Sequence, residues 1–576
     1  MPPTWKLRDL DRDAIHALAR SQDLTELVAA LLVARGHTDP EEARRHLDAS
    51  PMGLHDPFLL PDMEAACERL ARALKDGETI LVHGDYDVDG VTGTSLLMRI
   101  FAELGGRAVW HIPNRLVDGY SFGDHSIAKA EATGAEVVVS VDNGTSAHSV
   151  IASLKERGID TIVTDHHEAP PGPLPDAIAI VNPKLATSTY PWRELCGGAV
   201  AFKLAWGLAQ KVHGKKKVSG DLKRFLEEAT AYVAIATVCD VVPLLDENRV
   251  FARFGLKALA QAEAPGLAAL RDVAGLGANP TAEDVAFQIG PRINASGRLG
   301  SAAQAVELLL AKDPVNARRL AKNLDELNQR RREIEKEVLE QARIAAREFE
   351  DQDRYPVLVL AGQGWHQGVV GIVAARLTEE FHRPSVVIGL DGEEGRGSAR
   401  SVDSFSVLGA ISGADEHLMR WGGHEQAAGL EIRADKVDAA REAICAKAKE
   451  MLKDGLPAPE LLIDFEIPFG SMTPETMRQL ERLEPFGAAN EKPVLLSQGV
   501  RLAEPARAVG QEGAHLMVQL RHGSNVLKAM AFRQGPRSGE LGMGMPLDVV
   551  YSPRWNTFRG RTNLELQLHD FRPSKE

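Results

Sequence analysis

The chain has few cysteines, few aromatic residues and no long apolar segment. Its 576 residues include four cysteines, Cys67, Cys196, Cys239 and Cys445, and none of them forms a CxxC pair. This spacing excludes a disulfide scaffold and a cysteine zinc site, and it is typical of a reducing compartment. No apolar run approaches the roughly 20 residues of a membrane span, and the first residues lack a signal-peptide pattern. We therefore expect a soluble cytoplasmic protein with no membrane partner.

The motifs of several common enzyme classes are also absent. The sequence has no GxxxxGK[ST] loop, no GxSxG elbow and no reactive-cysteine constellation. These absences leave nucleotide hydrolysis of the P-loop kind unsupported, together with catalysis by an elbow serine or an activated cysteine.

The charge of the chain is unevenly distributed. The net charge is −14, from 67 basic and 81 acidic residues, which on its own argues weakly against a nucleic-acid partner. Residues 501–576, however, contain eleven Lys or Arg against seven Asp or Glu. A basic C-terminal region on an acidic body is compatible with polyanion binding.

The pattern of apolar residues predicts an α/β protein. From residue 64 onward, short β-branched runs alternate with amphipathic helical segments, which is typical of a parallel sheet covered on both faces. The predicted strands of this first sheet are 79–83, 108–112, 137–141, 161–164 and 177–181. Leucines and other apolar residues at helical spacing over 313–350 predict a long amphipathic helix that bridges two domains. A second α/β unit follows, and regularly spaced short strands after residue 460 predict a small OB-type barrel.

The strongest chemical signal follows the first predicted strand, in ILVHGDYDVDGVTG at 80–93. His83, Asp87 and Asp89 form an H-x3-D-x-D pattern, and Asp85 adds another carboxylate. Clustered acids repel each other, and a bound divalent cation compensates them. The alternative is a solvated Asp-Gly turn on the surface.

The same pattern recurs later in the chain, which disfavours the surface-turn alternative. Asp142 directly follows the strand 137–141, and Asp165, His166 and His167 directly follow 161–164. Asp240 ends a further apolar run, which we interpret as another strand. Because ligands of open parallel sheets bind at the carboxyl ends of the strands, we expect these side chains to meet in one crevice.

Imidazole and carboxylate ligands without thiolate favour Mn²⁺, with Mg²⁺ or Zn²⁺ as alternatives. Six or seven candidate ligands exceed the needs of one ion and suit two ions that share a bridging carboxylate. The residues therefore predict metal-assisted hydrolysis of a phosphate ester or anhydride.

Together, DYDVDG, PNRLVDGY, VDNGTS, TDHHE, TVCDVVP and GPRINASGRLG resemble the motifs of the DHH phosphoesterase superfamily. WHQGVVGIVAARL, GSARS and GGHEQAAG resemble a DHHA1 domain, and LEPFGAANEKPV begins a segment similar to the OB-fold domain of bacterial single-strand-specific exonucleases. The resemblance covers approximately 50–570. It implies a parallel-sheet DHH domain joined by a long helix to a smaller α/β DHHA1 domain, followed by an OB-type β-barrel. The expected limits are 1–55 for an N-terminal extension, 56–312 for DHH, 313–350 for the helix, 351–456 for DHHA1 and 457–576 for the OB fold.

The resemblance also implies a role for each metal-site residue. His83 and Asp87 would hold a first ion, Asp89, His166 and Asp240 would hold a second, and Asp142 would bridge the two. Asp85 and His167 would be close neighbours with a catalytic role, orienting ligands or contacting the scissile phosphate.

Candidate DNA contacts lie in all three predicted domains. The candidates are Arg115, Arg292, Arg298, Ser398, Arg400, His424, Arg554, Trp555, Arg559 and Arg561. Arginine binds phosphate bidentately, and aromatic residues between arginines suit base stacking on single strands. The alternatives are arginines paired with local acids, a simple glycine turn in GGHEQAAG, and aromatic residues that fill the barrel core.

The leading hypothesis is an exonuclease that uses two divalent ions, Mn²⁺ in preference to Mg²⁺, and degrades single-stranded DNA from its 5′ end to mononucleotides. The 5′-to-3′ polarity, the preference for DNA and a role in recombination and repair are implied by the resemblance alone. We expect a monomer assisted by a helicase and a single-strand-binding protein. The alternatives are a phosphodiesterase of short oligonucleotides or cyclic dinucleotides, and a non-catalytic replication scaffold.

Overall fold

The described part of the chain divides into two compact units. The structure, a computed structural model, describes residues 3–114, 122–214, 218, 220–453, 455–456, 458–558 and 561–574, with the backbone alone at 557, 558 and 561. The larger unit comprises Thr4–His111, Ser121–Gly290 and Glu460–Glu576. The smaller unit comprises Ile112–Tyr120 and Pro291–Pro459, with the first three residues.

Helices and strands alternate over residues 63–164, as the apolar pattern predicts, whereas the helices over 197–346 follow one another with no intervening strand among the described residues. Within the described ranges, the α-helices are α1 (Arg12–Gln22), α2 (Glu26–Ala34), α3 (Pro40–Asp48), α4 (Met63–Asp76), α5 (Val88–Glu103), α6 (Asp124–Thr133), α7 (His148–Glu156), α8 (Gly197–His213), α9 (Asp221–Cys239), α10 (Asp246–Ala260), α11 (Pro265–Ala274), α12 (Ala282–Asp284), α13 (Gly290–Leu299), α14 (Ala303–Leu309), α15 (Pro314–Ala346), α16 (Gln367–Phe381), α17 (Val407–Ile411), α18 (Val437–Met451) and α19 (Pro474–Leu480). A π-helical turn, Val285–Ile289, joins α12 to α13, and short 3₁₀ turns include Pro51–Gly53, Pro57–Leu59, Arg347–Phe349, Ser412–His417, Ala434–Lys436, Phe469–Ser471, Glu481–Leu483, Gln511–Gly513 and Gly535–Glu540.

The strands form four sheets among the described residues. They are β1 (Thr4–Leu7), β2 (Thr79–Gly84), β3 (Arg107–His111), β4 (Val137–Val141), β5 (Asp160–Thr164), β6 (Ala179–Val181), β7 (Leu358–Gln363), β8 (Ser385–Asp391), β9 (Glu394–Arg400), β10 (Leu418–His424), β11 (Ala427–Arg433), β12 (Glu460–Ile463), β13 (Phe465–Glu466), β14 (Leu495–Leu502), β15 (Arg507–Val509), β16 (His515–His522), β17 (Asn525–Ala531), β18 (Leu547–Phe558) and β19 (Arg561–Pro573).

The first sheet of the larger unit is entirely parallel, in the order β3-β2-β4-β5-β6. Strands β2 and β4 are buried along their whole length, as their continuous β-branched sequences TILVHG and VVVSV predict. The chain runs from β2 outward to β3 and then returns to β4 on the other side of β2. The strand order therefore reverses between β2 and β4, which is the point where open α/β sheets bind ligands.

The second sheet of the larger unit has seven strands in the order β13-β14-β18-β19-β17-β16-β15, and five of them, β14, β18, β19, β17 and β16, form a barrel. It is closed by a further antiparallel pairing between β14 and β16. Two of its strands, β18 and β19, are long, with 12 and 13 residues, so the expectation of short strands throughout was wrong for this hairpin. The barrel core includes Tyr551 and Phe571.

The N-terminal extension belongs to the same core as the barrel. Ile15 and Leu18 of α1, together with the apolar residues of α2, pack in one cluster with Phe469, Leu495 and other barrel residues. Strand β1 pairs in parallel with β12, directly before the barrel. The two ends of the chain are thus held in one folding unit, a pairing that local sequence pattern does not reveal.

The smaller unit is built on a mixed sheet in the order β10-β11-β9-β8-β7. Helix α16 packs against β8 and β9, and the 33-residue helix α15 packs against α16. The contact of α15 with α16 includes Val338 and Leu339, which share a core with Val369 and Val373. These features confirm the predicted fold class. The predicted domain limits remain predictions. No helix in the described ranges is long and apolar enough to cross a bilayer.

Candidate metal centre and phosphate-binding residues

Most of the predicted metal ligands lie where the parallel strands end. The segment Asp85–Asp89 follows β2, Asp142 follows β4, and Asp165 and His166 follow β5. Because β2, β4 and β5 are neighbours in the sheet, three separate sequence motifs meet at one edge, beside the reversal of strand order.

Asp240 reaches the same place by a different route. The apolar run before it, which the sequence suggested to be a strand, is the C-terminal part of helix α9, and Asp240 is the C-cap residue. The interpretation as a strand was wrong because, in a helix that is apolar on all sides, the spacing of apolar residues shows no 3.6-residue repeat. Residues Ala231–Thr237 of this helix are all buried. The expectation that Asp240 lies with the other acids was argued from this strand, and Asp240 nevertheless groups with Asp89 and His166.

The side chains form overlapping groups of potential ligands. Each group has ligand atoms within 4.8 Å of one another: Asp85, Asp87 and Asp142; Asp142, His166 and His167; and Asp89, His166 and Asp240. Asp142 therefore belongs to a carboxylate group on one side and a histidine group on the other. The bridging role that the resemblance implies for Asp142 remains a prediction.

His166 lies at the centre of the second group. Its Nε2 lies 3.1 Å from Oδ1 of Asp142, and 3.7 Å from one carboxylate oxygen of Asp89 and one of Asp240. Burial, and then the neighbouring His167, lowers the pKa of His166 to about 4. At neutral pH the ring is therefore uncharged, which is the form that ligates metals.

The carboxylates repel one another in the absence of a cation. Burial, followed by the charges of neighbouring aspartates, raises the pKa of Asp89 to about 7 and that of Asp240 to about 8. The same causes raise the pKa of Asp142 well above its ordinary value. Acids held this close in the interior require a compensating positive charge.

These residues fit a divalent metal ion. Oδ1 of Asp142, Oδ2 of Asp240 and both ring nitrogens of His166 are buried and make no well-formed hydrogen bond within the described residues. A set of carboxylate oxygens and a neutral imidazole nitrogen suits Mn²⁺ or Mg²⁺. The unsatisfied buried atoms are thus those that an ion would bind.

The backbone around the acids is shaped to hold them. Asp87 is the N-cap of α5, and its Oδ1 accepts the N–H groups of Asp89 and Gly90. A side chain at Gly90 would collide with the backbone of Asp85, since its Cβ would lie 2.4 Å from the Asp85 nitrogen. The glycine of DYDVDG therefore allows the chain to turn back on its own acidic loop.

Two glycines at the start of α8 also support the site, and the sequence analysis missed them. The N–H groups of Gly197 and Gly198 donate to the two carboxylate oxygens of Asp89, each at 2.6 Å. A Cβ at Gly197 would lie 2.6 Å from Cβ of Asp142. A glycine pair before an apolar helix, in CGGAVAF, is the signal that could have identified them.

Asp165 and His167 form a second layer beside the ligands. Asp165 accepts hydrogen bonds from Nδ1 of His167 at 2.8 Å and from the N–H of Thr145 at 2.9 Å. Burial alone would raise the pKa of Asp165, but these bonds lower it to about 2. The bond from His167 to Asp165 raises the pKa of His167 to about 9. His167 is therefore an imidazolium at neutral pH, and it is half-exposed.

His83 lies with two histidines that the sequence analysis did not single out. It is fully buried, and one of its ring nitrogens lies within 4.8 Å of a ring nitrogen of His111 and of one of His125. Its Nε2 lies 2.8 Å from the hydroxyl of Ser126, and Nε2 of His111 lies 3.1 Å from Nδ1 of His125. Its predicted role beside Asp87 remains a prediction.

The smaller unit brings three predicted phosphate ligands to one sheet face. Register places His424 opposite Ala427, and Ala427 opposite Arg400, so these side chains share a face. Ser398, two residues before Arg400, points to the same face. A Cβ at Gly371 of α16 would lie 2.9 Å from Oγ of Ser398, which shows that this helix lies against Ser398.

The two arginines of PRINASGR already have protein partners. Arg292 is buried and pairs with Asp325 of α15, with Nε 2.9 Å from the carboxylate. Nη1 of Arg298 donates to the carbonyl of Gly368, in the first turn of α16. Arg292 therefore agrees with the alternative of an arginine paired to a local acid, whereas Arg298 lies close to the face that carries Arg400.

The predicted barrel contacts are only partly described. Arg554 pairs with the buried Glu565, its Nη2 lying 2.9 Å from the carboxylate, and Trp555 packs against the barrel core. Tyr551 is fully buried and bonds the Ser497 hydroxyl, so it belongs to the core, as the alternative interpretation held. Arg115 and Arg559, and the side chain of Arg561, lie outside the described residues.

Three segments of the chain match known protein families. Residues 79–236 match the DHH family N-terminal domain, 354–450 the DHHA1 domain and 463–570 the RecJ OB domain. The fold and the site thus define a member of the DHH and DHHA1 phosphoesterases.

Relatives that match nearly the whole chain show more specifically which family it belongs to. The chain is 35% identical over 572 residues to the single-stranded-DNA-specific exonuclease RecJ of Bacillus subtilis, covering 98% of this chain and 70% of the relative. It is 34% identical to that of Escherichia coli, with 96% of each chain covered. The chain belongs to the RecJ family.

A solved structure of the same family has a similar fold. The crystal structure of RecJ from Thermus thermophilus in complex with Mn²⁺ is 29% identical, and the match covers 100% of this chain and 80% of that one with a TM-score of 0.83.

Proposed function

We propose that this protein is a single-stranded-DNA-specific exonuclease, a metal-dependent hydrolase that cleaves phosphodiester bonds from the 5′ end and releases mononucleotides. The observation that carries the proposal is the position of Asp142, which shares its carboxylate between two groups of ligands. The RecJ relatives support the single-stranded DNA substrate.

We assign the ligands to two ions. Asp87 and Asp142, with Asp85 beside them, would hold the first, and Asp89, His166 and Asp240 would hold the second, with Asp142 shared. His83 is a further candidate ligand of the first ion. We propose Mn²⁺ as the preferred metal because an imidazole stands among the carboxylate ligands, and Mg²⁺, which takes oxygen ligands, as the alternative. When bound, such a pair of ions supplies a nucleophile at neutral pH and stabilises charge on the reacting phosphate.

The protein residues around the ions position the reacting groups. Gly197 and Gly198 hold Asp89 from the backbone, which leaves its orientation independent of the substrate. His167 is held by Asp165 through Nδ1, so its second N–H is available to bind a phosphate oxygen or to give a proton to the leaving group. The hydrogen bond to Asp165 raises the pKa of His167, which favours the protonated ring.

The remaining predicted contacts would hold the DNA strand. Arg400, Ser398 and His424 share one face of the smaller unit, and Arg298 lies close by, a set that can bind phosphates through charge and hydroxyl groups. Arg115, Arg292, Arg554, Trp555, Arg559 and Arg561 complete the proposed contacts. We propose that the protein acts as a cytoplasmic monomer in DNA recombination and repair, with a helicase and a single-strand-binding protein as partners.

A panel of substrates tests this function. With Mn²⁺ present, the protein should hydrolyse a long single strand rapidly and a matched duplex and a dinucleotide slowly. Asp142→Ala should abolish hydrolysis while retaining binding of the single strand. Hydrolysis of the dinucleotide alone would instead indicate a small-substrate phosphodiesterase. Binding without any hydrolysis would indicate a scaffold.

A further inference from the structure

The first turn of helix α10 contains three consecutive polar residues that are buried. Glu247, Asn248 and Arg249 are each at most 1% exposed, and none of them belongs to the metal centre. Burying such groups is unfavourable unless all are satisfied, so each side chain should have a specific partner.

The partners lie in three different parts of the larger unit. Glu247 forms an ion pair with the buried Lys203 of α8. Asn248 donates to the carbonyl of Pro243, in the loop that follows Asp240, at 3.0 Å. The first turn of α10 thus connects the body of the parallel-sheet domain to the loop that presents a candidate metal ligand.

Arg249 connects the same turn to the barrel. Its Nη1 donates to the carbonyls of Leu483 and Pro485, at 2.9 and 3.5 Å, and its Nη2 donates to those of Arg482 and Glu484, at 3.1 and 2.8 Å. Nε donates to the carbonyl of His46 at 2.6 Å. These five bonds of the guanidinium all go to backbone carbonyls, and no carboxylate within the described ranges forms an ion pair with it. Burial, and then the nearby Arg253, lowers its pKa to about 9.

The segment that Arg249 binds is itself a rigid turn. The side-chain amide of Asn490 donates to the carbonyls of Leu483 and Pro485, each at 2.8 Å. The turn also contacts the loop after Asp240 directly, since the N–H of Leu244 donates to the carbonyl of Ala488 at 2.8 Å. A Cβ at Gly487 would lie 2.6 Å from Leu244, so the two segments approach closely.

We infer that Arg249 is a positioning residue: it ties the turn 482–490, and with it the barrel, to the first turn of α10, where its neighbour Asn248 binds the loop that follows Asp240. The inference rests on the proposed function. A long single strand that engages both the barrel and the metal centre requires the two to keep a fixed separation. A dinucleotide that occupies only the metal centre does not. Lysine cannot replace Arg249, because one ammonium group cannot serve five carbonyls spread over two segments.

The test compares Arg249→Lys with Arg253→Lys on the same helix. Arg253 donates to the carbonyls of Leu47 and Asp48 and makes no hydrogen bond to the turn among the described residues, so it is a matched control. We expect Arg249→Lys to raise KM for a long single strand about tenfold, with kcat/KM on a dinucleotide changed less than twofold. Amide hydrogen exchange at Leu244 and across 482–490 should accelerate in this variant and not in the control.

Two results would overturn the inference. One is an equal loss on both substrates in a folded variant, and the other is unchanged exchange at Leu244. If Arg249→Lys does not fold, Asn490→Ala removes hydrogen bonds within the same turn. This variant should also raise KM for the long single strand while changing kcat/KM for the dinucleotide less than twofold. The exchange measurement does not depend on hydrolysis. Accelerated exchange in a protein that cleaves no DNA would therefore refute the proposed function and leave the connection intact.

Discussion

Nε2 of His166 lies 3.1 Å from Oδ1 of Asp142, although one residue follows β5 and the other follows β4. The contact joins a neutral imidazole to a carboxylate that two groups of ligands share. Asp142 also adopts a left-handed backbone conformation, with φ of 63°. A non-glycine residue held there is strained, and such strain concentrates at functional sites.

Asp142→Asn should separate metal binding from folding. Asparagine tolerates the left-handed conformation, and the substitution removes one buried like charge. We therefore expect the free energy of unfolding without metal to rise by about 1 kcal/mol. Hydrolysis should fall by more than about 100-fold, since a direct ligand is lost. The wild-type protein should gain about 2.7 kcal/mol at Mn²⁺ concentrations near 100 times Kd, and the variant much less. Equal stabilisation of both by Mn²⁺ in thermal unfolding would remove Asp142 from the metal site.

Gly197→Ala should damage the site through packing. The added methyl would lie 2.6 Å from Cβ of Asp142 and 2.9 Å from its Cα, so the strand end must shift. We expect a loss of about 1–3 kcal/mol in stability and weaker Mn²⁺ binding, measured by chemical unfolding and metal titration. Gly277→Ala is the control, because a methyl there meets nothing within 4 Å. Unchanged Mn²⁺ affinity in Gly197→Ala would show that α8 does not hold the ligands in place.

Val241→Gly should stabilise the protein. Val241 follows Asp240, has φ of 61° and is 69% exposed, so it bears backbone strain and buries little. We expect the free energy of unfolding to rise by about 1 kcal/mol, because glycine adopts this conformation without a Cβ clash. If the left-handed conformation serves to place the Val241 side chain against the single-stranded DNA, hydrolysis of single-stranded DNA should fall at the same time. A destabilised variant would show that the valine side chain makes a contribution that outweighs its backbone strain.

The buried His46 and the partly buried His37, both near Arg249, predict loss of stability in acid. Burial, and then the charge of Arg249, lowers the pKa of His46 to about 2 and that of His37 to about 4. Below a pH of about 6.5 the unfolded chain binds protons that the folded chain excludes. Stability therefore falls as the pH drops from about 6.5 toward 4, by about 1.4 kcal/mol per pH unit for each such proton.

The histidine contribution is measured as a difference, because the acids of the metal centre also titrate. Urea unfolding of wild type and His46→Met between about pH 7.5 and pH 5 should give a shallower dependence for the variant. Identical slopes would place the protonation of His46 outside the folding equilibrium.

Arg400→Ala should weaken the binding of single strands and reduce its dependence on salt. Loss of one phosphate contact lowers the slope of log affinity against log salt by about 0.7 for single strands. Arg433→Ala is the control, because Arg433 ends β11 of the same sheet, is exposed and pairs with Asp435 of the following turn. Fluorescence anisotropy at several salt concentrations checks both variants, and an unchanged slope for Arg400→Ala would place it away from the DNA.

Local sequence pattern predicts the parallel sheet well because strands such as VVVSV are buried on both faces and carry their own signal. That the candidate ligands after β2, β4 and β5 lie close together could be predicted for the same reason, since strand ends meet at one sheet edge. Asp240 was assigned to the right place on the wrong element, because an apolar helix and an apolar strand look alike.

The sequence pattern could not predict several contacts between residues that lie far apart in the chain. Gly197 and Gly198 bind Asp89 across more than one hundred residues, and Arg249 binds a turn more than two hundred residues away. The shared core of α1 and the barrel joins opposite ends of the chain. Nothing in the local periodicity of these segments specifies such partners.

The most direct measurement of the central claim follows a long single strand labelled at its 5′ end, beside the same strand labelled at its 3′ end, with Mn²⁺ present and Asp142→Asn as control. A 5′-to-3′ exonuclease should release labelled mononucleotide immediately from the 5′-labelled strand. Label at the 3′ end should remain in progressively shorter strands, and the variant should be inactive. Immediate release from the 3′-labelled strand, or equal activity of the variant, would contradict this claim.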